Sequence, residues 1–488
     1  MVFHGRASKS CAKCRAVKRR CDQRVPHCGQ CIRQREQCPG YRDEWDLVFR
    51  DQTSHTIRRS QKKWAETAAL ADPHDLPPPT HSLRPRIDEI GVNHFLRHFV
   101  IGGPSPSRGY LNYVPSVYHV DGEHPALMAS MAAVGLVALS NSTHQPDLAS
   151  HARAKYAEAI RNVNSALASP VESIKDSTLM SVISLGVFEH VSGYESWVRH
   201  VHGAAALVVA RGKRQFSSPV TIRMFSQVRA DLVYACLHST IPFPEDMLEL
   251  QDEAAKYTDP SSPTWLLGVL STRVANLLVT IRKKDPDAGI PWSEFLEETI
   301  TLERGLRDVC EGLAIEEPYA TTQDSGADPD KIYNGRIDRY KDAWAIRVWN
   351  NLRSLRMVVC EILCYLLNGA LAKDLAPDAR RFIEVKLQET LQTLSELGDD
   401  IIATVPQAME FVSSVSEPHP SIDLSFNGSV SGGYMLTWCL YMVGKCVVTK
   451  NQARKWIIRR LQDIGSNMGI SIALQLVDDI VKIDQLTG

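Results

Sequence analysis

Six cysteines, Cys11, Cys14, Cys21, Cys28, Cys31 and Cys38, stand within the first forty residues, with gaps of two, six, six, two and six residues. This is Cys-x2-Cys-x6-Cys written twice, with a six-residue loop between the copies. Thiolates at this spacing suit Zn²⁺, which takes tetrahedral sulfur ligation and has no redox chemistry of its own. A Cys-x2-Cys pair lets one turn of helix present two sulfurs to one metal. Six sulfurs cannot fill two separate four-coordinate sites, but they suffice if two thiolates bridge. The count therefore points to two zinc ions sharing six ligands.

The same stretch is basic. Residues 1–40 carry a net charge of +8, whereas the whole chain sums to −1, which leaves −9 for the remainder. A small cationic module on a large acidic body fits a head that binds nucleic acid and a body that does not. Metal must supply much of the head's folding free energy, because so few residues cannot bury a sufficient core. Disulfides would require an oxidising compartment, and residues 1–10 are polar and basic, unlike a secretory leader. A zinc knuckle for protein or RNA is the alternative, although such modules generally mix histidine among their ligands. His27, inside the loop, is expected to face solvent.

The motif Cys11-x2-Cys14-Arg15-x2-Lys18-x-Arg20-Cys21, with Pro26 shortly before Cys28, resembles the fungal Zn₂Cys₆ binuclear zinc-cluster transcription factors. Val17 departs from relatives that are often basic there. The resemblance implies that Cys11 and Cys28 bridge the two metals and that Lys18 reads a CGG-type triplet in double-stranded DNA. Lysine donors match guanine O6 and N7 in the major groove. Arg15, Arg19 and Arg20 are assigned to phosphates, where they set register and give salt-dependent affinity. It further implies a nuclear RNA polymerase II transcription regulator, more often an activator, contacting coactivators or the transcription machinery. Homodimerisation and control of a metabolic or secondary-metabolite gene cluster belong to the same analogy.

Three segments follow from composition and periodicity: a zinc module at 8–40, a connecting segment at 41–86, and a large helical domain at 87–488. The connecting segment carries a helix beginning near Thr53, with Ile57, Gln61, Trp64 and Ala68 on one face but no sustained heptads. Arg58, Arg59, Lys62 and Lys63 there, with Lys18-Arg19-Arg20, could serve nuclear import. It ends in a proline-rich linker at 72–86. The body is expected to be all α. Helical spacing is read at Leu148 to Leu167, at Ile337 to Leu366, at Phe382 to Leu394 and at Ile457 to Met468. Residues 316–335 are expected to form a disordered acidic loop. Three diffuse motifs, around Trp197-x2-His200, Gly433-Tyr434 and Trp456-x4-Leu461, resemble the regulatory domain that accompanies these clusters.

No membrane partner is expected: the longest apolar stretch, 126–139, is short of a bilayer span and reads as a buried helix. The remaining cysteines, Cys236, Cys310, Cys360, Cys364, Cys439 and Cys446, read as reduced core residues. Neither zinc-protease, phosphate-loop nor dinucleotide-binding motifs occur, and Gly428 to Gly432 lacks the serine of a hydrolase elbow, so no enzyme is expected.

Overall fold

The computed structural model describes residues 10–24, 26–41, 62, 86–100, 110–193, 196–283, 292–412 and 430–487. The chain divides into two compact units, residues 1–85 and 86–488. The helix expected from Thr53, the basic residues around Arg58 and the proline-rich run up to Pro85 lie outside the described residues, except Lys62.

The first unit contains two five-residue helices, α1 (Ala12–Ala16) and α2 (Gly29–Arg33). The second begins with α3 (Ile87–His98), α4 (Val114–Asp121), α5 (Pro125–Thr143), α6 (Pro146–Leu167), α7 (Asp176–Ser192), α8 (Trp197–Arg211) and α9 (Pro219–Ser239). It continues with α10 (Glu245–Ala254), α11 (Pro263–Lys283), α12 (Trp292–Glu316), strands β1 (Tyr319–Gln323) and β2 (Arg336–Tyr340), and α13 (Ala343–Leu371). The remaining helices are α14 (Pro377–Ile402), α15 (Val405–Ala408), α16 (Val430–Lys445), α17 (Asn451–Ser466) and α18 (Ile472–Thr487). Prolines in the first turns of α5, α6, α9 and α14 start these helices where a missing N–H costs nothing.

The centre of the first bundle is α5, buried on nearly every side and packed against α3, α6 and α7. Its crossing with α3 is close because Gly91 and Gly135 meet there; a Cβ on Gly135 would lie 1.8 Å from the Gly91 carbonyl oxygen. The stretch read as too short for a membrane belongs to this 19-residue helix, which is long and apolar enough to span one, as are α11 and α13. In this fold 72% of the α5 apolar window is buried within the protein.

The expected acidic loop at 316–335 is instead largely a hairpin and its connection. β1 and β2 pair antiparallel with Tyr319 opposite Tyr340 and Gln323 opposite Arg336. Ile337 and Tyr340, read as the start of the long helix, belong to β2; α13 begins only at Ala343, capped by the Asp342 carboxylate accepting from the Ala345 N–H (2.9 Å). The hairpin is held from later in the chain. Asp338 N–H donates to the Ala403 carbonyl (3.0 Å), and the Gln407 amide bonds both the N–H and the carbonyl of Tyr340 (2.7 and 2.8 Å). Beneath it the buried Asp338 carboxylate pairs with Arg336 (2.9 Å) and accepts from the Thr321 hydroxyl (2.8 Å), with Arg353 at 3.9 Å. Two other apolar positions also depart from expectation: Phe382 and Val385 on α14 are 70% and 50% exposed.

Candidate metal centre and nucleic-acid interface

The cysteine module is built twice over with an offset of seventeen residues. Cys11 and Cys28 sit at the N-caps of α1 and α2, and their sulfurs accept from the N–H groups of Cys14 (3.4 Å) and Cys31 (3.3 Å). Both helices end alike. Lys18 N–H donates to the Arg15 carbonyl (3.2 Å) and Arg19 N–H to that of Cys14 (2.8 Å). Arg35 N–H donates to the Ile32 carbonyl (3.0 Å) and Glu36 N–H to that of Cys31 (3.0 Å). This is the double hydrogen bond of a Schellman ending, with Lys18 (φ 51°) and Arg35 (φ 52°) in the left-handed position glycine usually fills. The turn after each helix brings the third cysteine, Cys21 or Cys38, back to its pair. The copies are tied together by the Ala12 N–H donating to the Gly40 carbonyl (3.3 Å) and by the Tyr41 hydroxyl donating to the Arg24 carbonyl (2.6 Å).

The sulfurs fall into two four-membered groups: Cys11, Cys14, Cys21 and Cys28, and Cys11, Cys28, Cys31 and Cys38. Within each group all ligand atoms lie within 4.8 Å of one another, and Cys11 and Cys28 belong to both. Their Sγ atoms are 3.7 Å apart, Cys14 to Cys28 is 3.8 Å and Cys11 to Cys31 is 3.7 Å. A regular tetrahedron of sulfurs around zinc, at about 2.3 Å per bond, has edges of about 3.8 Å. The donor set and its spacing therefore fit two zinc ions sharing two thiolates. Burial among neighbouring sulfurs pushes the Cys14 thiol up to about 12, whereas hydrogen bonds from backbone N–H groups bring Cys38 down to about 7. A divalent cation reverses the first penalty, since bound sulfurs are thiolates. His27 is exposed and outside both groups. The six later cysteines are free and lie in the helical body.

Around this cage the proposed DNA-contacting residues differ in their freedom. Lys18 and Arg20 are exposed. Arg15 is half-buried and donates to the Ser10 carbonyl. Arg19, expected at a phosphate, has its guanidinium on the Glu36 carboxylate, with Lys13 a further 3.8 Å partner of that same acid. Sequence reasoning missed the Arg19–Glu36 pair; the offset of seventeen could have found it, since the two residues occupy equivalent positions.

In the body, the Trp197-x2-His200 motif marks packing. Trp197 is buried, and His200 Nε2 lies 2.9 Å from the Tyr156 hydroxyl and 3.6 Å from Glu189. The hydroxyl of Tyr156 also donates to the Glu189 carboxylate. The histidine is satisfied within the core.

A duplicated thiolate cage with exposed cations beside it, on a chain whose bulk is a separate helical unit, defines the class of zinc-dependent DNA-binding regulators. Residues 9–46 match the family described as the fungal Zn(2)-Cys(6) binuclear cluster domain, and residues 92–241 match the fungal specific transcription factor domain. The chain thus carries both domains of a fungal transcription regulator, and those families are transcription factor domains, generally without enzymatic activity. The second match spans from α3 to just past α9, so the motifs at Gly433-Tyr434 and Trp456 lie beyond it. No curated protein and no solved structure matches the chain.

Proposed function

We propose that residues 8–40 bind two zinc ions through Cys11, Cys14, Cys21, Cys28, Cys31 and Cys38, with Cys11 and Cys28 bridging, and recognise CGG-type triplets in double-stranded DNA. The observation that carries this reading is the sharing of Cys11 and Cys28 by two sulfur groups of tetrahedral size, beside an exposed Lys18. Lys18, held at the end of α1 in a left-handed turn, reads guanine; Arg15 and Arg20 contact phosphates. Arg19 contributes through Glu36 to the union of the two halves and supplements the phosphate contacts only where DNA competes for it. The helical unit 87–488 is the regulatory domain, joined through 41–86, and the protein acts in the nucleus as an RNA polymerase II regulator, in the sense of activation, on a metabolic or secondary-metabolite gene cluster. Coactivators or the transcription machinery are its protein partners, with a second copy where two triplets are bound.

Selection of DNA from a random pool by the full chain tests this, with zinc and with a chelator. Enrichment of CGG-type triplets that disappears with chelation is the expected result, and the spacing of paired triplets reports the number of chains bound. No enrichment in either condition would move the head to an adaptor role with protein or RNA.

A further inference from the structure

The helical unit holds a cavity of about 1180 Å³, open on one side, between α9, α11, α13 and α16. Tyr234, Trp265, Trp344 and Trp438 supply much of its wall, an apolar and aromatic lining of the kind that takes organic ligands. Arg229 also lines it and is only 4% exposed. Its Nη1 donates to the Gln251 side-chain oxygen (3.1 Å), and its guanidinium lies 4.4 Å from the Trp265 ring centroid and 5.8 Å from that of Phe225. Gly268 leaves the space the guanidinium occupies, since a Cβ there would lie 1.8 Å from Nη2.

No carboxylate among the described residues forms an ion pair with Arg229. Among the described residues, the other two buried arginines have carboxylates: Arg353 lies 3.9 Å from Asp338 and 3.8 Å from Asp400, and Arg460 lies 2.9 Å from Asp463. Asp259, Glu316, Glu317 and Glu361 line the same cavity, yet none forms an ion pair with Arg229. Burial alone pulls its pKa down to about 10, with no nearby acid holding it up. A buried cation without a partner is costly, and the aromatic ring and one amide recover only part of that cost.

We propose that this cavity binds an amphipathic organic anion, with the acid group paired to Arg229 and an apolar or aromatic body against the tryptophan and tyrosine walls. The site concerns the helical unit alone and does not depend on what the zinc module binds. Occupancy of a cavity bounded by four helices gives the regulatory unit a means of responding to a small molecule.

The test uses two fluorescent probes with similar aromatic bodies, anionic 8-anilinonaphthalene-1-sulfonate and neutral N-phenyl-1-naphthylamine, on the zinc-loaded full chain. The anion is expected to bind at one site per chain and about tenfold or more tighter than the neutral probe, as a desolvated charge pair provides. Arg229→Met is expected to abolish that preference while leaving binding of the neutral probe within about threefold. Ser226→Phe, one turn earlier on the same helix and also lining the cavity, is expected to block both probes. Circular dichroism establishes that each variant is folded; if Arg229→Met is not, Ser226→Phe and the wild-type preference decide. Equal affinity of the two probes for the wild type, an unchanged preference in folded Arg229→Met, or undiminished binding to folded Ser226→Phe would each overturn the proposal.

Discussion

Arg19 and Glu36 hold the same position in the two halves of the cysteine module, five residues after Cys14 and Cys31, and their side chains form an ion pair across the halves. The duplication is thus symmetric in backbone and sulfur but opposite in charge at this one place. Both groups gain: Arg19 is held further above its usual range and Glu36 below the usual carboxylate range, each through the other. Neutralising the acid by Glu36→Gln should release Arg19 and Lys13 toward phosphates. The expected outcome is tighter binding to any DNA and a slope of log K against log salt steeper by about 0.9 for each added phosphate contact. A salt titration of the variant checks this, and an unchanged slope would leave Arg19 without a latent phosphate role.

Lys18 combines a proposed base contact with an unfavourable backbone. A side chain in the left-handed region costs about 1–2 kcal/mol relative to glycine. Lys18→Gly should therefore hold the module at least as firmly, read as resistance of bound zinc to chelator, while losing specific DNA binding by about 1–3 kcal/mol, roughly 5- to 150-fold. Lys18→Ala should lose the same specificity without the backbone gain. Uniform weakening on all sequences would instead make Lys18 a phosphate contact.

Because Cys11 and Cys28 belong to both sulfur groups, the six ligands are not equivalent. Cys21→Ser leaves Cys11, Cys28, Cys31 and Cys38 complete and is expected to retain about one zinc per chain. Cys28→Ser breaks both groups and should retain little of either metal. Metal content of the purified full chains by atomic emission distinguishes these outcomes, and equal losses would argue against bridging.

How much of this was legible in the sequence depended on the range of the forces involved. The cage could be read because its ligands and spacings sit within twenty-eight residues, and the chemistry of six thiolates allows few arrangements. The helices of the body followed from apolar periodicity, which reports burial on one face. Phe382 and Val385 show its limit: spacing placed them on an apolar stripe, but α14 turns them to solvent. The hairpin at 319–340 escaped because β1, Tyr-Ala-Thr-Thr-Gln, is mostly exposed and carries no apolar alternation. Its order comes from Ala403 and Gln407, more than sixty residues further on. The unpaired state of Arg229 was equally invisible, since it is defined by which carboxylates the fold does not bring near.

That hairpin supplies a stability test. Asp338 is fully buried, and its carboxylate meets Arg336, Arg353 and Thr321. Asp338→Ala removes the fully buried member of an ionic network and leaves Arg353 with Asp400, 3.8 Å away, as its remaining carboxylate. A loss of about 3–5 kcal/mol is expected for the helical unit, as for other broken buried pairs. The denaturation midpoint of the full chain checks this. A loss under about 1 kcal/mol would mean that solvent or Asp400 takes over the role of Asp338.

Asp231 on α9 gives a prediction in pH. Gln227 donates to both its carboxylate oxygens (2.8 and 2.9 Å) and the Arg347 charge favours ionisation, but desolvation outweighs both and raises the group to about 6. In the unfolded chain an aspartate titrates near 3.9. Between those values the folded protein holds a proton that the unfolded chain has lost, so this group's contribution to stability falls as pH rises from about 4 through 6. Asp231→Asn removes the titration and keeps an amide oxygen for Gln227. The variant should match the wild type near pH 4 and gain on it progressively, by on the order of 1–3 kcal/mol at pH 7. Melting temperatures of the two proteins across that range provide the measurement. A difference that stays constant with pH would mean that Asp231 is ionised throughout, with the charge of Arg347 prevailing over burial.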